Sequence, residues 1–345
     1  MIMFNCDYNE GCHPNILKRL VDSNMDQHPG YSEDDLSAHA KELIKKACGR
    51  DDVDVHILVG GTQTNMTVIS ACLRTYQGVI SCETGHIARH ETGAIEAHGH
   101  KVLTIPSDDG KITAEQIKKY CHTHFTDESF EHVVQPGMVY ISSPTELGTT
   151  YCRKEIEEIR KVCDEYNLYL YLDGARLGYG FASKGNDLDL PFLASVCDVF
   201  YIGGTKQGAL MGEACVICND ALKKDFRYII KQNGGMFAKG RLLGIMFEEL
   251  FSNDLYMELS RHAIAMAEKL AAGMEAAGFK KYAESPTNQQ FFCMPDKYGE
   301  ILAEKYGFSN EGRIDDEHFI ARFCTSWATK EENVDALLED VKKLA

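Results

Sequence analysis

The chain has 345 residues, of which 44% are hydrophobic and 26% are charged, so it can bury a large core and has the composition of a folded globular protein. Its formal net charge of −16 disfavours binding to nucleic acids or to anionic membrane surfaces, because both need clustered lysine and arginine side chains. The first residues do not have the pattern of a signal peptide, and no apolar stretch approaches the ~20 residues that span a bilayer. Thirteen scattered cysteines, an odd number, predict a reducing compartment, and we expect the cytoplasm.

Helical and strand-like stretches alternate along residues 13–217. Apolar residues at helical spacing predict helices at 13–24, 32–47, 60–71 and 91–97, then from 113 and over 154–167. Short apolar runs predict strands at 53–59, 79–81, 101–105, 138–142, 169–172, 199–202 and around 215. This alternation predicts the α/β fold class, with a mostly parallel sheet that is covered by helices.

The pattern changes after residue 217, where long helices precede short strands. Helices are predicted at 220–231, 240–251 and 255–277, strands at 289–294 and 319–324, and a last helix from residue 330. We therefore predict a large domain over residues 1–245, which includes the N-terminal segment, and a smaller C-terminal α+β domain over residues 246–345.

Two predicted strands end in residues that carry chemistry. The run 169–172 stops at Asp173 and Gly174, and the run 199–202 is followed by two glycines, Thr205 and Lys206. Continuous apolar runs indicate buried parallel strands, whose ligands collect beyond their carboxyl ends, so both side chains should stand at one edge of the sheet. This pair suits pyridoxal phosphate, because a lysine can hold its aldehyde as a Schiff base and an acid can keep its pyridine nitrogen protonated.

Four motifs in this order carry a resemblance to a known family. They are GGTQTN at 60–65, GHIARHETGA at 85–94, LDGAR-x-G at 172–178 with the later Lys206, and RFCTSWAT at 322–329. The chain resembles the low-specificity L-threonine aldolases, which are fold-type-I pyridoxal-phosphate enzymes with the fold of aspartate aminotransferase. The resemblance implies pyridoxal 5′-phosphate as the cofactor. It also implies a lyase that cleaves L-threonine or L-allo-threonine, by a retro-aldol reaction, to glycine and an aldehyde.

The resemblance assigns the central roles to three residues. Lys206 would be the Schiff-base lysine, and its amine must be neutral to react, so the site should lower its pKa. Asp173 would bond the pyridinium N–H, and Arg176 would reach the ring hydroxyl oxygen or the substrate carboxylate. Taken alone, the same residues could be a solvated loop lysine, a helix cap and a surface ion pair.

Three residues in the first glycine-rich turn are candidates for holding the cofactor phosphate. Gly61, Thr62 and Gln63 open a predicted helix, whose free N–H groups and positive end attract an anion. An ordinary βα turn has the same composition, and it is the resemblance that implies phosphate binding at this position.

His86 matches the family histidine that stacks over the pyridine ring, where its imidazole could move a proton directly or through water. His86 and His90 also have the spacing of a helical metal pair, but no third ligand of clear type accompanies them. Cys215 and Cys218 form one Cys-x-x-Cys spacing in a strand-like stretch, where residues three apart face opposite sides. We therefore expect no metal site.

Further residues are assigned to the substrate through the resemblance. Arg322 matches an arginine that clamps the α-carboxylate and thereby fixes which Cα bond stands perpendicular to the ring. Its alternative is a structural ion pair. Tyr31 lies where the family has a tyrosine at the substrate entrance, and Lys239 or Arg241 could add positive charge near the phosphate of a neighbouring subunit.

Glu146 marks a departure from the family. Many members carry a histidine there that is thought to contact the substrate β-hydroxyl, whereas this chain reads SSPTELG at 142–148. A carboxylate could accept the same proton, and such general-base help increases rates by roughly 10²–10⁴-fold. Glu146 could equally be a structural acid, which leaves the substrate preference and the stereochemistry at Cβ open.

Other functions remain to be separated from the retro-aldol reaction. β-Elimination and transamination use the same fold and break a different bond to Cα. A non-catalytic redox or metal-binding protein would need clustered cysteines, which the scattered spacing does not provide. Active sites of this fold usually form between subunits, so the resemblance implies a homodimer or a homotetramer that acts on a small amino acid.

Overall fold

The structure is a computed structural model and describes residues 1–344. Its strands are β1 (Ile2–Met3), β2 (Asp54–Leu58), β3 (Gln77–Cys82), β4 (Val102–Ile105), β5 (Gln135–Ser142), β6 (Tyr169–Asp173), β7 (Val199–Gly203), β8 (Glu213–Ile217), β9 (Lys281–Ala283), β10 (Gln289–Pro295), β11 (Tyr306–Gly307), β12 (Ser309–Arg313) and β13 (His318–Cys324). Its α-helices are α1 (Pro14–Asp22), α2 (Asp35–Cys48), α3 (Gly61–Cys72), α4 (His86–Arg89), α5 (Ala94–Ala97), α6 (Ala114–Thr126), α7 (Arg153–Tyr166), α8 (Leu177–Ala182), α9 (Leu190–Val196), α10 (Phe226–Gln232), α11 (Arg241–Phe251), α12 (Leu255–Ala276), α13 (Asp296–Ala303) and α14 (Glu331–Leu344).

A seven-stranded sheet forms the centre of the molecule, in the order β2-β8-β7-β6-β5-β3-β4. Strands β3 to β7 pair in parallel with their neighbours, and β8 runs antiparallel to both β7 and β2. Every residue of β7 and β8 is buried, as the continuous apolar runs indicate for strands covered on both faces. The predicted mostly parallel sheet is confirmed.

Local signals set several helix ends where the sequence places them. Helix α2 begins after Asp34, whose carboxylate accepts a hydrogen bond from Ser37 N–H at 2.8 Å, and it ends at Gly49, whose φ of 65° is left-handed. Thr113 and Gln116 form a capping box at the start of α6. These caps supply partners for backbone groups that a helix end leaves free.

The C-terminal part contains a four-stranded antiparallel sheet, in the order β12-β13-β10-β9, with α12 and α14 packed nearby. The first residues of the chain join this part: β1 pairs in parallel with β11, and Phe4 is buried in the same apolar core as Phe292 and Phe323. The predicted α+β character of this part is confirmed, while the boundary near residue 245 stays a prediction.

Two predicted helices differ from the structure. The helix predicted at 220–231 becomes a 3₁₀ turn (Asp220–Leu222) followed by α10, because Asp225 adopts a left-handed φ of 61° between them. The helix predicted at 91–97 is reduced to α5, since Thr92 and Gly93 have φ values of 54° and 72°. Within residues 1–344, none of the helices combines the length and apolar character that crossing a bilayer requires.

Candidate active site

Asp173 ends β6 at the edge of the central sheet, and only 4% of its surface is exposed. Its Oδ1 accepts hydrogen bonds from the Tyr201 hydroxyl at 2.5 Å and from Ala175 N–H at 3.0 Å. Its Oδ2 accepts from the Tyr140 hydroxyl at 2.6 Å and from Asn65 Nδ2 at 3.3 Å. Four donors from different elements therefore hold this carboxylate in one orientation.

Tyr140, Tyr171 and Tyr201 stand on β5, β6 and β7 and form a buried row beneath the site. Burial raises the pKa of all three hydroxyls well above the ordinary value, and the charge of Asp173 acts in the same direction. The hydroxyls therefore keep their protons and act as donors. That of Tyr171 donates to Asn65 Oδ1 at 2.7 Å, which turns the amide nitrogen of Asn65 towards Asp173.

Lys206 lies on the turn after β7, and its carbonyl oxygen accepts a hydrogen bond from the Tyr179 hydroxyl. Burial lowers the pKa of the Lys206 amine, and the positive charge of Arg176 lowers it further. Asp7, Asp173 and Glu213 act in the opposite direction without reversing the shift. The structure thus gives Lys206 the lowered pKa that a nucleophilic amine requires.

Two glycines allow the turns that carry the acid and the amine to touch. Gly203 N–H donates to the Gly174 carbonyl at 3.0 Å. A Cβ on Gly174 would lie 2.1 Å from the Tyr201 carbonyl oxygen, and one on Gly203 would lie 2.3 Å from that of Ala175. Neither position has room for a side chain, which explains glycine after Asp173 and at the end of β7.

Arg176 pairs with an acid from the N-terminal segment. Its Nε lies 2.6 Å from Asp7 Oδ2 and its terminal nitrogen 3.1 Å from Oδ1, and Asn288 Nδ2 donates to the same acid at 2.9 Å. Burial would raise the pKa of Asp7, but the charges of Arg176 and Lys206 outweigh it and the pKa lies below its usual value. The pair is buried rather than on the surface, and the predicted contact of Arg176 with ligand stays a prediction.

His86 belongs to a buried chain of hydrogen bonds. Its Nδ1 lies 2.8 Å from Glu91 Oε1, which also accepts from Asn65 Nδ2 at 2.7 Å. Burial favours the neutral imidazole, but the bond to Glu91 and the charge of Asp173 outweigh it and raise the pKa of His86. Because Asn65 also donates to Asp173, its amide connects the His86–Glu91 pair to Asp173 through hydrogen bonds.

Glu146 lies beside His86. Its Oε1 accepts hydrogen bonds from the backbone N–H of His86 at 3.1 Å and from the Ser142 hydroxyl at 2.8 Å. Within residues 1–344 its buried Oε2 has no partner. Burial, and then the charge of Asp173, raises the pKa of Glu146. A carboxylate with a raised pKa is a stronger base than an ordinary carboxylate.

The predicted phosphate turn opens α3 with no side chain capping Gly60. A Cβ on Gly61 would stand 3.1 Å from the hydroxyl of Tyr201, the donor to Asp173, so the helix start adjoins the acid. The side chain of Gln63 is engaged elsewhere: it accepts from Val59 N–H at 3.2 Å and donates to the Asn233 carbonyl at 3.1 Å. Gln63 therefore offers a ligand only its backbone N–H, beside the groups of Gly61 and Thr62.

Arg322 stands on β13. Its terminal nitrogen donates to the Asn5 carbonyl at 3.3 Å and to the Ser309 hydroxyl at 3.2 Å. Its Nε lies 3.1 Å from Glu311 Oε1, in an ion pair without hydrogen-bond geometry. The charges of Glu311 and Arg322 both act on His90, whose ring centre lies 5.6 Å from that of His86, and the predicted contact of Arg322 with substrate stays a prediction.

Tyr31 lies apart from these residues. The residue is 45% exposed, with the Lys231 amine 5.0 Å from its ring centre, and its N–H donates to the Ala238 carbonyl at 3.2 Å. No hydrogen bond or ion pair connects Tyr31 with Lys206 or Asp173 in the described part of the chain. The same loop packs against residues 238–240, so Tyr31 lies with Lys239 and Arg241.

Several residues of the site were not predicted from the sequence. Asn65 and Glu91 lie inside the GGTQTN and GHIARHETGA motifs, and their polar character could have indicated them. Tyr140 and Tyr201 carry their hydroxyls inside apolar runs, which is a weak signal. Asp7 has no local signal, because only the tertiary fold brings it to Arg176.

Comparisons with known proteins decide the family. Residues 12–297 match the family described as Beta-eliminating lyase. The chain belongs to this beta-eliminating lyase family. It is similar to the low specificity L-threonine aldolase of Pseudomonas sp. (strain NCIMB 10558), with 30% identity over 98% of this chain and 96% of the relative.

Solved structures agree with the family. A threonine aldolase of Leishmania major superposes with a TM-score of 0.97 and 44% identity, covering 100% of this chain and 99% of that one. An aspartate aminotransferase of Thermus thermophilus superposes with a TM-score of 0.73 and 15% identity, covering 100% and 92%, and this likeness concerns the fold alone. The predicted fold, that of the fold-type-I enzymes, is confirmed.

Family and fold imply pyridoxal 5′-phosphate, and the residues present fit it. A lysine of lowered pKa, a buried acid and an uncapped glycine-rich helix start adjoin one another at the sheet edge. These are the groups that an aldehyde, a pyridine nitrogen and a phosphate need. Among residues 1–344, no group of three or more histidine, cysteine, aspartate or glutamate side chains is arranged to hold a metal ion.

Proposed function

We propose that the chain is a lyase that cleaves the Cα–Cβ bond of L-threonine, L-allo-threonine or a related β-hydroxy-α-amino acid to give glycine and an aldehyde. One observation carries this proposal: the buried Asp173 ends β6, Lys206 with its lowered pKa lies on the turn after the neighbouring β7, and the two turns touch through Gly203 and Gly174. The relatives named as L-threonine aldolases support the substrate class.

The cofactor supplies an aldehyde that bonds to amines and a ring that accepts the electron pair of the broken Cα–Cβ bond. Lys206 would bond that aldehyde, since its amine loses its proton more readily than an ordinary lysine. Asp173, fixed by Tyr140 and Tyr201, would keep the ring nitrogen protonated. Gly61, Thr62 and the backbone of Gln63 would hold the phosphate, and His86 would contact the ring.

The substrate is oriented by its carboxylate. Arg322 binds this group, and Arg176 contributes positive charge close to Lys206. Both guanidiniums have partners: Arg176 makes two hydrogen bonds to Asp7, whereas Arg322 faces Glu311 without hydrogen-bond geometry. We therefore assign the bidentate contact to Arg322, which would exchange Glu311 for the substrate carboxylate. Fixing the carboxylate fixes which Cα bond is aligned for cleavage.

Glu146 or His86 takes the proton of the β-hydroxyl group. The two groups adjoin, since Glu146 accepts a hydrogen bond from the His86 backbone, and the raised pKa of each makes it a stronger base than usual. Removal of this proton lets the aldehyde form as the Cα–Cβ bond breaks. Return of one proton to Cα completes glycine, so the reaction neither consumes nor releases protons overall.

The test is addition of L-threonine to the purified protein with pyridoxal 5′-phosphate, followed by measurement of acetaldehyde and glycine. Lys206→Ala should lose the lysine-bound visible absorbance and essentially all turnover, while Lys224→Ala, at an exposed position, should retain both. In place of acetaldehyde, a keto acid with free ammonia would indicate elimination, and a keto acid without free ammonia would indicate transamination. A Lys206→Ala protein that kept both properties would contradict the assignment.

We further propose a cytoplasmic homodimer or homotetramer in which sites are shared between copies. The thirteen cysteines, all free thiols in the structure, support a reducing compartment. Helix α1 exposes Leu17 and Val21, and Tyr31 is exposed away from the Lys206 group, as expected for residues that meet another copy. Light scattering of the purified chain will determine the mass of the assembly, and a monomeric mass would contradict this proposal.

A further inference from the structure

Glu213 is a buried acid directly beneath the turn that carries Lys206. It begins β8, where it stands opposite Gly203 of β7, and only 4% of its surface is exposed. Its Oε2 accepts a hydrogen bond from Gly204 N–H at 3.0 Å, and its Oε1 accepts one from the Thr205 hydroxyl at 2.8 Å. The two residues before Lys206 are thus both bound to one carboxyl group.

The backbone around this acid closes the same turn. The N–H groups of Gly204 and Thr205 each lie 3.0 Å from the Gly212 carbonyl oxygen, and Gly212 N–H donates to the Thr205 hydroxyl oxygen at 3.0 Å. The Glu213 carboxyl group completes this arrangement from the next position in the chain. Without it, the Thr205 hydroxyl would lose its acceptor at 2.8 Å and keep only its contacts with Gly212, and Gly204 N–H would keep only the Gly212 carbonyl.

Charged and titratable groups surround Glu213 on each neighbouring element. Lys206 on the turn and Asp173 on β6 act on its charge, and its charge in turn acts on the hydroxyls of Tyr201 on β7 and Tyr256 on α12. Burial raises the pKa of Glu213 to about 8, against the hydrogen bonds from Thr205 and Gly204, which favour the charged form. Glu213 can therefore change its charge within the range in which an enzyme works.

We infer that Glu213 is a positioning residue for Lys206: it clamps the Gly204–Thr205 turn and supplies a counter-charge to the lysine amine. This inference rests on the proposed role of Lys206. The clamp sets where the amine stands relative to Asp173. The counter-charge favours the protonated lysine nitrogen whenever Glu213 is ionised, because an opposite charge stabilises a buried cation.

The variant Glu213→Gln separates the two parts of this role. The amide oxygen can accept from Gly204 N–H and the amide nitrogen can donate to the Thr205 hydroxyl oxygen, so the clamp remains while the charge is lost. Thr205→Val removes one hydrogen bond and leaves the carboxyl group in place. Glu248→Gln is the matched control, because Glu248 is a buried acid that pairs with Arg19 and His39 elsewhere.

The first measurement is the pH titration of the visible absorbance of the full chain with its cofactor bound. Glu213→Gln should move the midpoint to lower pH by roughly half to one unit, because the protonated nitrogen of Lys206 loses a nearby negative charge. Thr205→Val should move it in the same direction by less, since a carboxyl group that lacks this donor stays protonated to higher pH. Glu248→Gln should leave the midpoint unchanged.

A second measurement keeps this inference separate from the proposed function. The full-length chain freed of cofactor is labelled with acetic anhydride over a range of pH, and acetylation of Lys206 is followed by mass spectrometry. Glu213→Gln should shift this titration to lower pH by a similar amount. If the cofactor proves not to bind Lys206, the proposed function fails while the labelling still reports on Glu213. Coincident curves for wild type, Glu213→Gln and Thr205→Val would overturn the inference, as would an equal shift in Glu248→Gln.

Discussion

The sheet edge around Asp173 and the loop around Tyr31 contrast with each other. Asp173 is buried and bound by four donors, whereas Tyr31 is largely exposed and has a left-handed φ of 61°. The next residue, Ser32, is also left-handed at 60°, an arrangement that costs roughly 1 kcal/mol or more for a residue other than glycine. At the sheet edge, all four groups that bind Asp173 come from the same chain. The loop around Tyr31 is held in an uncommon conformation and points outward, which suits contact with a second copy.

Replacing Asp173 should produce the largest effect on activity. A small effect would contradict the contrast between the buried sheet edge and the exposed loop. We expect Asp173→Asn to reduce threonine cleavage by about 10³-fold, because the ring nitrogen loses the charge that keeps it protonated. The measurement is kcat at saturating cofactor. The exposed Asp22→Asn provides the control, and an activity within tenfold of wild type would show that Asp173 only caps its turn.

A smaller effect should follow from the acid behind His86. Glu91→Gln removes the partner that raises the pKa of His86, so we expect this pKa to fall. If His86 acts as a base, the acidic limb of the pH–rate profile should move to lower pH, with about tenfold less activity near neutral pH because the base is weaker.

The His86 imidazole can be followed directly by NMR in the same Glu91→Gln sample. Tyr171→Phe leaves Glu91 in place but frees the Asn65 amide to turn, so it should cause a shift of the same sign and smaller size. An unchanged pKa of His86 in Glu91→Gln would mean that the hydrogen bond between the two does not set its charge.

The smallest effect should come from the exposed region. We expect Tyr31→Phe to raise KM several-fold and to leave kcat nearly unchanged, because a residue at the entrance affects binding more than chemistry. Mixing Tyr31→Ala with Lys206→Ala chains sharpens the comparison: if copies share sites, hybrids should contain one site with both residues intact, and their KM should recover towards the wild-type value. No recovery in a mixture proven to contain hybrids would place the role of Tyr31 within its own chain.

The sequence predicted the central sheet well because its strands carry short buried runs that end in glycine or an acid, as at Asp173 and Gly203. It missed α8 and α9, which are short helices held by tertiary contacts rather than by a long apolar stripe. Asp225 and Thr92 interrupt predicted helices because each adopts a left-handed conformation. The residue type alone does not predict that conformation at these positions.

The candidate site likewise has one part that the sequence predicts and another that it does not. Lys206, Asp173 and Arg176 lie within one stretch of 34 residues, and the motif spacing predicts their meeting at the sheet edge. Two hydrogen-bonded contacts could not be predicted: that of the Arg176 guanidinium with Asp7, and that of the Gln63 side chain with Asn233. In each, the partner lies more than 160 positions away in the chain. Long-range polar contacts of this kind have no periodic pattern along a sequence.

The contact between Gly174 and Gly203 has a consequence for redesign. With no room for even a methyl group at either position, the spacing between the acid and the amine is a property of the main chain itself. The two turns fix the spacing between Asp173 and Lys206, so a redesign for a new substrate should leave both glycines unchanged.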